Sequence, residues 1–330
     1  MPDHALVIGG TRFIGRHTVE ELLAHDYEVT LFNRGKHPNP FEGDASVSHV
    51  QGDRTDDGDL ADAAAVDPDV VIDCVAYYPR EVRTATRAFA DVDAYVFVSS
   101  EAAYQYVEIP EREDETPLRP CSEEQATDDS SGTYGQRKAE GDRAVFAAAE
   151  RGVNAMSVRP SVVYGPHDYS ERIDYWIERA REGERVLVPG DGMYLKHLAY
   201  VENVAQALRL VAEGGTPGEA YNVGDRTVLT LQQLVETLAD VLDSDVEVVT
   251  ADEHALAASG LAPTDFPIYA SDPHVMDTCK LDALGYDPVP TKTALATTVD
   301  DHLETDGDEP VELGPSREET ERVLGVLETM

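Results

Sequence analysis

The feature that most limits how this chain can fold lies at its start. The apolar run Ala5-Leu-Val-Ile8 passes directly into Gly9-Gly-Thr-Arg-Phe-Ile-Gly15, and Phe13 to Ala24 then carries the apolar spacing of an amphipathic helix. A second strand pattern follows at Glu28 to Asn33. Glycine at 9 lets the chain turn sharply off the first strand, and glycine at 15 lets the helix pack close to the sheet. Its first N–H groups then point at a pyrophosphate. The spacing is G-x-x-G-x-x-G, with Arg12 where a middle glycine is usual. A purely structural turn is the alternative, and the strand, turn, helix, strand order favours a dinucleotide.

With 330 residues, 42% of them hydrophobic, the chain can bury a large core as one large domain or two smaller ones. No apolar run approaches membrane-spanning length, and the start MPDHALVIGG lacks the basic and apolar regions of a signal peptide. A cytoplasmic protein without membrane partners is expected. Cys74, Cys121 and Cys279 are far apart and in no metal-ligand spacing, so neither a disulfide nor a metal site is expected.

Sixty-five Asp and Glu against 26 Lys and Arg give a formal net charge of -39, with acids spread through segments that keep apolar periodicity. This describes a solvated acidic surface on a folded protein, whose self-repulsion abundant salt would screen. Five lysines beside 21 arginines add to the impression of a halophilic cytoplasm. Such a surface repels phosphate backbones, which argues against a nucleic-acid partner.

Strand and helix patterns alternate through the first half, the signature of a parallel sheet covered on both faces. Strands are expected at 47–51, 70–74, 95–99 and 153–159, and helices at 59–65, 81–90 and 134–150. A long acidic loop covers 108–132. In the second half, helices are expected at 173–182, 201–213, 231–242 and 293–303, with short strands near Tyr221 and Val246. Residues 305–315 read as a linker, and Ser316 with Glu319 forms a capping box for a last helix. The expected fold is α/β, a Rossmann-type doubly wound parallel sheet with a smaller C-terminal α+β substrate domain. Its boundaries are 1–165 for the Rossmann domain, with 197–224 returning to it, 166–304 for the substrate domain, and 305–330 for the linker and helix.

Tyr134-Gly-Gln-Arg-Lys138 is the second strong signal. Residues four apart share a helix face, so the Lys138 ammonium can sit near the Tyr134 phenol and favour its phenolate. That suits hydride transfer, in which an alcohol loses a proton as a carbonyl forms. Val96-Phe-Val-Ser-Ser100 closes a strand, and ligands of such sheets bind beyond the carboxyl ends of strands. Ser100 there can bond the substrate oxygen beside Tyr134, or cap a helix.

These residues, in this order, resemble the short-chain dehydrogenase/reductase superfamily, and within it the extended NAD-dependent epimerase/dehydratase-like branch. The likeness runs from about residue 4 to 300 and includes Gly52-Asp-Arg54, Arg159-Pro-Ser-Val-Val-Tyr-Gly-Pro166, Tyr200-Val-Glu-Asn-Val-Ala205, Tyr221-Asn-Val-Gly224 and Leu284-Gly-Tyr-Asp-Pro288. The resemblance implies that Tyr134 is the general acid/base, that Lys138 tunes it and touches the cofactor ribose, and that Ser100 orients the substrate. It implies a cofactor cradle from Gly9, Thr11, Arg12, Phe13, Ile14 and Gly15 in the turn, and from Asn33 and Arg34 after the second strand. Asp53 at the adenine and Arg54 beside it, Ala76, Ser99, Pro160 and Val162 complete it. It implies a homodimer as one arrangement, through the helices at 81–90 and 134–150. Some divergent members bind RNA or regulate without turnover, which stays open as the alternative.

NAD-preferring members place an acid where this chain has Asn33-Arg-Gly-Lys36. An acid repels a 2′-phosphate, whereas Arg12, Arg34 and Lys36 can pair with one. Charges from Arg12 to Lys36 balance to zero, four basic against four acidic, inside a chain of -39, so NADP is expected over NAD. The expected substrate is a small hydroxylated molecule, with a nucleotide sugar as one class. Lys196 stands where such members carry a diphosphate-gripping arginine, Tyr164 is a further candidate contact, and no second arginine is evident between Ala251 and Leu284.

Overall fold

Short, almost wholly apolar strands separated by helices leave the chain one economical arrangement, a parallel sheet buried on both faces. The computed structural model describes residues 3–105, 109–305 and 313–329. It contains β1 (His4–Ile8), α1 (Phe13–Ala24), β2 (Glu28–Asn33), β3 (Val47–Gln51), α2 (Asp57–Ala64) and β4 (Val70–Asp73). Then follow α3 (Pro79–Ala88), β5 (Ala94–Val98), α4 (Tyr134–Ala149) and β6 (Ala155–Pro160). A seventh strand, Ala220–Val223, joins the sheet from far along the chain, giving the order Ala220–Val223, β6, β5, β4, β1, β2, β3. Every pairing is parallel. The expected Rossmann-type sheet is present.

All residues of β4, β5 and β6 are buried, while β3 is largely exposed, as an outer strand should be. The core on one face joins Leu6, Ile8, Phe32, Val71, Tyr95 and Phe97 to Val82, Phe89 and Val145 from the helices. Helix starts differ from expectation for local reasons. α2 begins at Asp57, not 59, because the Asp56 carboxylate accepts the N–H groups of Gly58 and Asp59. α3 begins at Pro79, whose missing N–H costs nothing in the first turn.

The chain divides into two units. The first comprises 1–163, 201–224 and 276–288, the second 164–200, 225–275 and 289–330. The return to the first unit thus begins at Val201 rather than 197, and a further segment, 276–288, also belongs to it. Within the second unit, strand Arg185–Pro189 pairs in parallel with Glu247–Ala251, and helices Asp174–Glu182 and Leu231–Val241 each bury one face. Arg185–Pro189 was not expected, since five residues directly after a helix carry little period of their own. The last helix, Arg317–Leu327, has the Ser316–Glu319 capping box. The expected linker falls mostly on residues 306–312, and the start of the 108–132 loop on residue 108; both lie outside the described residues.

Candidate active site

The glycine-rich turn is held in shape by its neighbours. Gly9 and Gly10 adopt φ of 115° and 84°, conformations that side chains avoid, and a Cβ on Gly15 would lie 2.6 Å from the Gly10 nitrogen. The Gly9 N–H donates to the Phe32 carbonyl at 3.0 Å. Asn33 completes the staple: its Nδ2 donates to the Gly9 carbonyl at 2.9 Å, and its Oδ1 accepts from the Gly35 N–H at 2.9 Å. Asn33 therefore ties the glycine turn to the loop that follows β2. Arg12 stands exposed at the N-cap of α1, with Phe13 and Ile14 opening the helix.

Lys138 lies one turn along α4 from Tyr134 and is 4% exposed. Its Nζ donates to the carbonyls of Ala76, at 2.9 Å, and Val98, at 2.8 Å, bracing the helix against the ends of β4 and β5. The same nitrogen is 5.7 Å from the Tyr134 ring centre and 4.8 Å from that of Phe97. Burial pushes the ammonium down to about 8, against the pull of the Asp73 and Asp142 carboxylates, which favour its charged form. Close approach of α4 is enforced by glycine: a Cβ on Gly135 would sit 2.2 Å from the Ala102 carbonyl oxygen. Gly141 makes room in the same way for the Phe97 ring.

The two carboxylates belong to buried clusters. Asp73, fully buried, accepts from both terminal nitrogens of Arg54 and from the Tyr95 hydroxyl at 2.7 Å. Asp142 accepts from Arg159 Nε at 2.8 Å, and Arg159 Nη1 donates to the Tyr104 hydroxyl at 3.0 Å. Tyr104 in turn donates to Asn222 Oδ1 at 2.7 Å, and Asn222 Nδ2 donates to the carbonyls of Glu111 and Asp277. A continuous polar chain thus runs from α4 through β6 to the late strand Ala220–Val223.

Tyr134, Lys138, Ala76, Ser99, Ser100 and the glycine turn all lie in the first unit. Ser100 caps the short turn Glu101–Ala103, its Oγ accepting from the Ala102 N–H at 3.2 Å, which leaves its proton to donate. Ser99 Oγ, at the carboxyl end of β5, is buried with no hydrogen-bond partner among the described residues. Pro160 ends β6 and Val162 is half-buried just beyond. Asp53 takes both the N–H and the hydroxyl of Thr55, which with nearby Arg34 and Lys36 hold its carboxyl below the usual range. Two of the expected site residues have partners within the protein. The Arg54 guanidinium pairs with buried Asp73. Tyr164 is fully buried in the second unit, and its hydroxyl donates to Asp225 at 2.8 Å. Lys196, in the strand Leu195–Lys196, also belongs to the second unit.

Sequence reasoning passed over Asp73, Asp142, Gly135 and Tyr77. An acid four residues after Lys138 was a readable signal for Asp142, since it continues the Tyr134–Lys138 face. Asp73 gave none, because a single acid ending an apolar run looks like a turn residue.

The glycine turn is a cradle that a side chain would fill, and Lys138 and Ser99 aim polar atoms at the carboxyl ends of the strands, so the residues present fit a dinucleotide. Fold and site together define a protein of the extended short-chain dehydrogenase/reductase type. Residues 5–224 match the NAD dependent epimerase/dehydratase family, and the chain belongs to it, a family of enzymes. Over 279 residues it is 29% identical to a dTDP-glucose 4,6-dehydratase of Streptomyces antibioticus, covering 74% of this chain and 78% of that one. It is also 29% identical over 247 residues to the chloroplast stem-loop binding protein of 41 kDa b of Arabidopsis thaliana, covering 71% of this chain but only 62% of that protein. The crystal structure of a Bacillus anthracis dTDP-glucose 4,6-dehydratase in complex with NAD shares the fold, with a TM-score of 0.72 at 21% identity over 93% of this chain and 98% of that one. Among the described residues, no helix is long and apolar enough to cross a membrane.

Proposed function

We propose that this protein oxidises or rearranges a hydroxylated sugar ring carried on a nucleoside diphosphate, with Tyr134 exchanging the proton of the reacting hydroxyl. The observation that carries the reading is Lys138: a buried ammonium, fixed by two carbonyls one helix turn from Tyr134 and 5.7 Å from its ring centre, is placed to favour the phenolate. The bound dinucleotide would accept or return hydride. Tyr134 removes the hydroxyl proton as the carbonyl forms and returns it in the reverse step, while Lys138 favours the phenolate and Ser100 bonds the substrate oxygen. The kinship with dTDP-glucose dehydratases supports the substrate class. The test is Tyr134→Phe: turnover of dTDP-glucose or UDP-glucose falls at least about 100-fold while dinucleotide binding persists.

On the cofactor, we read the absence of an acid at residue 33 and the basic trio Arg12, Arg34 and Lys36 as favouring NADP. Tighter binding of NAD than NADP at matched salt overturns that preference. A second reading is a cofactor-binding protein without turnover, and the likeness to a protein named for stem-loop binding supports only its binding role. The charge of -39 weighs against RNA as its partner. We further read the protein as cytoplasmic and salt-adapted.

A further inference from the structure

The loop after β4 is more heavily braced than its length needs. The Glu81 carboxylate, buried at the start of α3, accepts the N–H groups of both Tyr77 and Tyr78, at 2.8 and 3.0 Å. The Tyr78 ring is held between the guanidinium groups of Arg80 and Arg137, 5.2 and 5.1 Å from its centre. Arg137 also bonds the Tyr77 and Ser130 carbonyls, tying this loop to the approach of α4. Out of this rigid loop stands Tyr77, 44% exposed although aromatic, with its ring centre 5.4 Å from Lys138 Nζ. Tyr77 and Tyr134 thus flank the same ammonium, and only Tyr134 is explained by proton transfer.

We propose that Tyr77 is a specificity-determining residue that offers its ring face to the carbon-bound hydrogens of the substrate's sugar ring. The proposal rests on the functional reading above. A hexose ring is amphipathic, with hydroxyls at its rim and C–H groups on its faces, and a fixed aromatic plane matches such a face while shielding the reacting carbon from water. Preorganisation matters, because the backbone N–H and carbonyl of Tyr77 and the N–H of Tyr78 are already held, so little loop entropy is lost when the ring is covered. The ring lies beside the ammonium that Tyr134 also flanks, at the end of the site where the proposed proton exchange takes place.

The experiment compares wild type, Tyr77→Ala and Tyr77→Phe with dTDP-glucose and UDP-glucose as probes, measuring kcat and KM, and measures dinucleotide Kd by titration. Tyr77→Ala is expected to raise KM about tenfold, with a smaller change in kcat, and Tyr77→Phe, which keeps the ring, to recover most of that loss. Dinucleotide Kd shifts by less than about twofold, because the ring covers sugar and not nicotinamide. An unchanged KM in Tyr77→Ala, or a loss confined to dinucleotide Kd, overturns the proposal and leaves the functional reading standing. If wild type turns over neither probe while binding the dinucleotide, the functional reading fails, and the assignment of Tyr77 falls with it.

Discussion

Arg159 Nε lies 2.8 Å from a carboxylate oxygen of Asp142, joining β6 to the helix that carries Tyr134 and Lys138 through a pair of which neither member is more than 1% exposed. Removing one partner strands the other charge in the core. Asp142→Ala is expected to cost about 3–5 kcal/mol in denaturant unfolding, whereas replacing both, as Asp142→Leu with Arg159→Met, costs clearly less. Equal losses in the single and double variants would refute this.

Lys138 gives two pH signatures of opposite use. Its ammonium is charged below about 8 and loses its proton above, so turnover that depends on the charge falls as pH rises through that value. The unfolded chain keeps the same proton up to the ordinary 10.5, so the unfolded state binds more protons between about 8 and 10.5 and folding stability gains across that window. Lys138→Met should lower kcat/KM by about 100-fold or more and abolish that gain in thermal unfolding. A gain that survives the substitution means another group titrates there.

Gly135 sets how close α4 comes to the turn after Ser100. With its missing Cβ only 2.2 Å from the Ala102 carbonyl, Gly135→Ala must push Tyr134 away from the strand ends. A displacement near 1 Å costs on the order of 100-fold in kcat, while dinucleotide Kd, governed mainly by the glycine turn, moves far less. Kinetics paired with cofactor titration reads both quantities, and full activity in the variant would show that α4 tolerates the shift.

In the second unit, buried His302 sits between Asp174, 2.9 Å from Nδ1, and Glu178, 2.7 Å from Nε2. The bond to Asp174 lifts its pKa to about 9 from 6.5, against the opposing effect of burial and with further help from Glu178. A raised folded-state pKa means its stabilisation is complete below about 6.5 and disappears as pH climbs through about 9. The Tm difference between wild type and His302→Gln should therefore shrink over that interval. A constant difference from pH 6 to 10 would contradict it.

The order of strands and helices in the first half was readable because each buried strand is a short apolar run closed by a turn, a pattern that depends on near neighbours only. Tyr134 with Lys138 was readable for the same reason, as a helix turn makes them adjacent. What escaped depends on residues distant in sequence. The carboxylate partners of Arg54 and Tyr164 could not be read, because Asp73 is 19 positions from the one and Asp225 is 61 from the other, and only the fold brings them together. Tyr77 was missed because its exposure comes from how the loop is braced, which no local spacing reports.

The late strand Ala220–Val223 has a consequence for biosynthesis. Every residue assigned to the proton relay has been translated by position 138, yet the polar chain behind Asp142 ends on Asn222, which bonds the carbonyl of Asp277, and Tyr286 closes onto the Gly224 carbonyl at 3.1 Å. A ribosome-bound fragment that stops before residue 220 carries the whole relay but presents β6 as an open edge, with the Tyr104 hydroxyl lacking its acceptor Asn222. The first unit is therefore not complete until residue 288 has emerged, 150 positions after Lys138, a delay set by the 276–288 segment.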